Sequence, residues 1–322
     1  MTSTTKTVAV PDQLEQAGTE RTRANRSGLR YFFRRFSSES PLNVVALAVI
    51  GVFLILCIAG ELIAPHDPLA TSASDRLLAP SIDHPFGTDE IGRDILSRVM
   101  SGARYSLGIA VLILVIAIPV GTLVGVVAGY AGGLIDELLM RLTDIFLAFP
   151  AIILAMAIAA ALGPNLRNTV IALTAVYWPW YARLVRGQIL SIKEQDYIEA
   201  GRALGVSTPR LVLRHILPNS LAPIIIQGTI DVGFAVLATS SLSFIGLGAQ
   251  PPTPEWGTMI TNSRSYFRVA WWYFTFPGIA LMLTVVGFNL LGDGLRDYFD
   301  PRTRGANCGT RCNGVRRDAR AR

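Results

Sequence analysis

YSLGIAVLILVIAIPVGTLVGVVA, residues 105–128, runs for twenty-four positions without a charge. A helix needs about 20 mostly apolar residues to cross roughly 30 Å of hydrocarbon, so this block alone points to a membrane span. Five more blocks flank it. Residues 44–64 carry Glu61 as their only charge, and residues 142–162 carry Asp144 near their start. Residues 168–182 are short for a span. Residues 221–248 hold Asp231 internally, and residues 269–292 hold no charge. Backbone N–H and C=O groups cannot go unpaired in lipid, so these blocks read as helices. The expectation is an all-α integral membrane protein, a polytopic bundle of about six transmembrane helices.

The chain has 322 residues, 51% hydrophobic and only 16% charged, with a mean hydropathy of +0.43. Typical soluble domains hold roughly 25% charged residues. Forty-odd mostly polar residues precede the first apolar block, which is long enough to span. It reads as an uncleaved anchor and not as a secretory signal. Three segments follow from this pattern: a basic N-terminal segment at 1–42, a membrane domain at 43–299, and a basic tail at 300–322. Within the membrane domain lie two long polar loops, 65–104 and 183–220.

Charge placement orients the bundle. Lys and Arg favour the cytoplasmic side of short loops. Six spans put twenty-two of the 29 basic residues on the side of both termini and seven on the other. Both termini and loop 183–220 are therefore expected in the cytoplasm of a plasma (inner) membrane, with loop 65–104 outside. The net charge of +6 is explained by topology, because the basic residues are split among separate loops, and no nucleic-acid partner is expected. The run RYFFRRF at 30–36 suits a short helix on an anionic lipid surface, or an ordinary juxtamembrane anchor.

The most informative polar stretch is QDYIEAGRALGVSTPRLVLRHILPNSLAP at 195–223. Residues 197–204 are helix-prone, and Gly205 is a plausible stop. Ser207 or Thr208 can cap a second short helix with Pro209 in its first turn, and Pro218 is expected to end it. The first helix presents Tyr197, Ile198, Ala200, Ala203 and Leu204 among charges, which suits either a docking surface or an amphipathic connector.

This stretch resembles the cytoplasmic coupling loop of binding-protein-dependent ABC importer permeases. The family pattern is Glu-Ala-Ala, three residues, Gly, nine residues, Ile, one residue, Leu-Pro. The chain supplies Glu199, Ala200, Gly201, Gly205, His215, Leu217 and Pro218, with Gly201 and His215 departing from the pattern. HPFGTDEIGRD at 84–94, SFIGLGAQPPTPEW at 243–256 and FNLLGDGLRDYFDPR at 288–302 resemble segments of the dipeptide, oligopeptide and nickel permeases. Some members carry Glu where this chain has Thr239. The resemblance implies the type I importer architecture and half of a pore for di- or oligopeptides or a related small solute. It also implies a second homologous permease, two ATPase subunits or one two-domain ATPase, an extracytoplasmic substrate-binding protein, and surrounding lipid. The coupling contact would comprise Tyr197, Glu199, Ala200, Gly201, Ala203, Leu204, Gly205, Leu217 and Pro218. No Gly-x-x-x-x-Gly-Lys-Ser/Thr loop is present to hold a nucleotide. The chain is thus read as a transport subunit that is not an enzyme and binds no cofactor, with ATP and Mg in the partner ATPases.

A rival reading is a self-sufficient secondary transporter using an intramembrane carboxylate such as Asp231. Asp231 and Thr239 are the candidate pore or intramembrane polar residues, and pairing within the bundle is the simpler account of Asp231. Asp144 is expected to pair with Arg141 at helical spacing. His66, His84 and His215 look scattered over different loops, so no metal site is expected. Cys57 reads as a small hydrophobe inside a span, and Cys308 and Cys312 as solvated thiols. Gly121, Gly125 and Gly129 recur every four residues and read as a close helix-packing face.

Tags at Met1 and Arg322 should both be protected in intact cells, while a tag beside Asp83 should be accessible. An accessible C-terminal tag would sink the six-span arrangement.

Overall fold

The computed structural model describes Phe36 and residues 41–299. The basic run at 30–35, the tail at 300–322 and Cys308 and Cys312 lie outside the described residues. The described residues before Val45 form a small unit of their own, in which Asn43 Nδ2 donates to the Phe36 carbonyl at 2.9 Å. From Val45 onward the chain is a helical bundle, and among the described residues there is no strand.

Helix α1 is Pro41–Ile63 and α2 is Ile95–Ala131. Helices α3 (Gly133–Leu147) and α4 (Ala151–Leu162) are followed by α5 (Leu166–Lys193). The short α6 (Asp196–Ala203) and the single turn α7 (Thr208–Leu211) lead through a π-helical turn, Val212–Ile216, into α8 (Leu217–Phe244). The last two are α9 (Trp256–Ser263) and α10 (Trp271–Phe299).

Four of these are long and apolar enough to cross a membrane: α1, α2, the continuous stretch Thr208–Phe244, and α10. A fifth candidate is the bent pair of α3 and α4. Large apolar side chains face outward, with Ile58 85% and Leu62 88% exposed, as expected where the solvent is lipid. Helix α5 falls short in apolarity because Tyr177, Trp178, Trp180 and Tyr181 occupy its middle. Its 28 residues nonetheless extend about 42 Å, and it packs along α2.

Three expectations change. The block at 142–162 is not one straight helix: α3 and α4 meet at 86°. Pro150 lacks an N–H and its ring crowds the preceding turn, which favours a break there, and it stands as the N-cap of α4; Pro119, Pro179, Pro223 and Pro277 are each carried inside a helix. The twelve residues of α4 alone reach only about 18 Å. Pro218, in turn, does not end a helix. The wide turn Val212–Ile216, closed by Leu217 N–H donating to Val212 O, absorbs the proline, and the chain continues into α8. Finally, Arg141 pairs with Glu137 at 2.6 Å, and Asp144 pairs across helices with Arg183 at 2.5 Å.

The glycine stripe on α2 is a packing face. A Cβ on Gly125 would sit 2.8 Å from Val185 Cβ, and one on Gly129 would sit 2.9 Å from Ile189 Cβ. Between helices in lipid the association rests on such close approach and on polar contacts. At the other end, α9 wedges beside α2 and α8. Buried Glu255 caps it by accepting from Gly257 N (3.0 Å) and Thr258 N (2.9 Å), and Ser240 Oγ donates to the same carboxylate at 3.0 Å. The neighbouring Trp256, fully buried, donates Nε1–H to Val99 O at 3.0 Å.

Gly125→Leu should force α2 and α5 apart and lower the thermal midpoint of the purified protein, overpacking of this kind costing about 1–3 kcal/mol. Gly51→Leu, where nothing lies within 4 Å, is the control and should change little. Equal midpoints for the two variants would show that the glycine face does not hold α5.

Candidate functional site

The polar segment between α5 and α8 is shorter than its apolar boundaries imply. Residues 183–193 belong to α5, and from Thr208 the chain is already helical towards α8. What projects is α6 with its two links. Ile198, fully buried, is its anchor; it packs with Val185 and Ile189 of α5, Ile216 and Ile224. Ile198 therefore turns inward, away from the face on which its neighbours lie. Tyr197, Glu199, Ala200, Ala203 and Leu204 are exposed, with Leu204 84% and Tyr197 48% exposed. Gly201 and Leu217 are half-buried, and Pro218 is exposed at the start of α8.

Gly205 has φ +76°, and the hydrogen bonds around it explain the turn. Val206 N–H donates to Gly201 O (3.1 Å) and Gly205 N–H to Arg202 O (2.9 Å), the paired pattern that closes a helix on a left-handed residue. Only glycine takes that conformation without strain. Gly201 lets α7 come close, since a Cβ there would lie 3.0 Å from Leu211 Cδ2.

Tyr130, which sequence reasoning passed over, ties α6 to the end of α2. Its hydroxyl donates to Thr208 Oγ1 at 3.3 Å, and its ring lies 5.7 Å from the Arg202 guanidinium and 5.9 Å from Lys193 Nζ. Asp136 on α3 grips Arg186 on α5 through two bonds of 2.6 and 2.7 Å. Neither partnership has a local sequence signal, because each joins residues fifty or more positions apart.

Deeper in the bundle, a cavity of about 460 Å³ is lined by Leu147, Tyr177, Trp180, Gln227, Asp231 and Phe234 among others. Asp231 is buried and paired: Tyr181 donates to Oδ2 at 2.5 Å and Gln227 Nε2 to Oδ1 at 2.9 Å. Thr239 is buried and donates to Ala235 O within its own helix at 2.8 Å; it does not line the cavity. The three histidines are not all scattered, contrary to expectation. His66 and His84 meet at Asp94, while His215 stands near α8.

Residues 121–305 match the family described as the binding-protein-dependent transport system inner membrane component. The chain belongs to that family. As a member of it, this multi-pass permease is a transport subunit of an ABC importer and not an enzyme, and ATPase subunits and a second permease are its partners. Residues 27–80 also match the N-terminal transmembrane domain of oligopeptide transport permease C. The permease is 46% identical over 266 residues to a probable D,D-dipeptide transport system permease, DdpC, of Escherichia coli K12, covering 83% of this chain and 89% of that one. It is equally identical to the dipeptide transport permease DppC of Alkalihalophilus pseudofirmus, covering 83% and 88%. A glutathione transport permease, GsiD, of Escherichia coli O6:K15:H31 shares 44% over 275 residues, covering 85% and 90%. Among solved structures, a chain of the MetNI methionine ABC transporter in an inward-facing form matches the fold with a TM-score of 0.52 at 21% identity. That match covers 63% of this permease and 96% of that chain. Nothing supports the self-sufficient transporter built on Asp231.

Ile198→Ala should loosen α6, since truncating a buried Ile costs about 2–5 kcal/mol. Gly205→Val should add strain of about 1–2 kcal/mol at its left-handed turn. Amide exchange of residues 196–204 should rise in both variants and stay unchanged in Leu204→Ala. Unaltered exchange in Ile198→Ala would show that this side chain does not anchor the helix.

Proposed function

We propose that this permease forms half of a translocation pore for di- or oligopeptides, or a related small solute, and that a separate ATPase drives it through the exposed face of α6. The observation that carries the coupling is the division of α6 into two sides. Ile198 fastens one side to α5, while Tyr197, Glu199, Ala200, Ala203 and Leu204 are left on the other with little to pack against. An apolar, small-residue surface rimmed by charge suits a protein partner. Gly201, Gly205, Leu217 and Pro218 shape the two turns that present this face.

The peptide assignment draws on the relatives that carry dipeptide and glutathione names. The cavity beside Asp231, apolar with few polar groups, supplies the pore surface of this half. Both termini and α6 lie on the cytoplasmic side, in keeping with the bias of basic residues. Of the polar stretch 65–104, residues 95–104 belong to α2, and the loop that remains, 64–94, faces outward, where an extracytoplasmic binding protein delivers solute. Two ATPase subunits, or one with two domains, bind ATP and Mg, and this chain binds neither.

Glu199→Lys and Leu204→Asp should both insert normally, because neither residue lies in a span. Each should weaken ATPase association by roughly tenfold or more, the loss of an interface contact costing about 1–3 kcal/mol. Co-purification of the ATPase and peptide uptake in cells are the readouts. Parental association and uptake in both variants would show that α6 is not the coupling contact.

A further inference from the structure

The loop between α1 and α2 gathers three metal-binding side chains that the transport function leaves unused. His66 lies three residues beyond the end of α1, His84 lies mid-loop, and Asp94 caps α2. One ligand atom from each falls within 4.8 Å of the others. His84 Nδ1 is 3.0 Å from Asp94 Oδ1, and His66 Nδ1 is 3.9 Å from Asp94 Oδ2. The two rings lie 4.8 Å apart at 33°. We propose that His66, His84 and Asp94 form a binding site for a borderline divalent cation of the zinc or cobalt class.

The surroundings hold the ligands in place. Ser97 Oγ donates to Asp94 Oδ2 at 2.7 Å and accepts the His66 backbone N–H at 3.0 Å. One hydroxyl therefore fixes both the carboxylate and the start of the loop. The His84 backbone N–H is held by Ser81 Oγ at 3.1 Å. Such second contacts orient the donors of metal sites. Capping of α2 accounts for Asp94 and Ser97, and a hydrogen bond to Oδ1 holds His84; neither accounts for a second imidazole, His66, brought to the same carboxylate from eighteen residues away.

Distances and donor chemistry agree. A tetrahedral cation with nitrogen and oxygen donors at about 2.0–2.2 Å separates them by about 3.4 Å; His84 stands 3.0 Å from one Asp94 oxygen, His66 3.9 Å from the other, and all three ligand atoms lie within 4.8 Å, so His66 must draw in to complete the set. The His66 side chain is 43% exposed and free to close the longer spacing. Two nitrogens and one carboxylate oxygen suit zinc, cobalt, nickel or copper. They are too few and too soft for calcium or magnesium, which take six or more oxygens. His66 is the exposed member of the three, and Asp94 the buried one. A bound cation would tie the end of α1, the loop and the start of α2 together.

The test is cobalt titration of the purified permease complex near neutral pH, followed by the visible absorption of the coordinated ion and by displacement with zinc. A single saturable site is expected, weakened at least tenfold by His66→Ala and by His84→Ala and unchanged by His215→Ala. Zinc should also slow proteolytic cleavage of loop 64–94 in the parent and not in His66→Ala. Asp94 is left intact because its replacement would remove the helix cap along with the ligand. Cobalt held as tightly by His66→Ala as by the parent would overturn the proposal. So would a parent that gives no such absorption at micromolar cobalt.

Discussion

The approach of α5 onto the glycine face of α2 is the contact from which the rest of the bundle hangs. Lipid tails are as apolar as leucine, so burying more leucine between these helices gains little. What remains is dispersion, which falls off steeply with a gap of even half an ångström. Gly121, Gly125 and Gly129 remove the side chains that would open such a gap. Three other features then depend on where α5 sits. Tyr181, on that face, aims its hydroxyl at Asp231. Val185 and Ile189, on the same face, floor the pocket that receives Ile198. Arg186, one residue further round, reaches Asp136.

Burial of charge is managed at the helix ends. Where α2 begins, the Asp89 carboxylate accepts from the backbone N–H groups of Ile91 and Arg93 and from Arg93 Nε, and Arg98 lies 3.7 Å away. Arg93 and Arg98 are almost fully buried, which is tolerable only because the counter-charge is held beside them. This local arrangement gives HPFGTDEIGRD its physical sense. Gly87 and Gly92 take positive φ to fold the loop tightly, and the acidic and basic residues neutralise one another. Asp231 is the exception at depth, and it too is hydrogen-bonded on both oxygens.

Much of this was legible because membrane helices announce themselves by composition, and because glycine has few other uses at 205 or at four-residue spacing. What escaped had non-local causes. Pro150 and Pro218 look alike in sequence, yet one stands at an 86° break and the other follows a π turn into a continuous helix. Residues 168–182 looked too short because aromatic residues and flanking arginines hid a helix of 28 residues. Ile198 was grouped with the exposed face because eight residues make barely two turns, too few for periodicity to say which side is inward. The meeting of His66 and His84 follows from a loop without any period at all. Asp144 found Arg183 and not Arg141 because a cross-helix geometry outcompeted a local one.

These contacts constrain how force can travel through the permease. With Ile198 packed against α5, α6 cannot shift without carrying α5 along. With α5 pressed to the α2 backbone, α2 must follow. Tyr130 adds a second tie between the end of α2 and the residues around α6. Packing thus joins α2, α5 and α6 to one another. Helical geometry is broken at the bend between α3 and α4 and widened at the π turn Val212–Ile216 ahead of α8. Asp231 on α8 and Tyr181 on α5 lie on opposite sides of the second. The bond from Tyr181 to Asp231 therefore joins the chain on either side of that turn, and Asp231 with Gln227 forms the polar corner of the cavity.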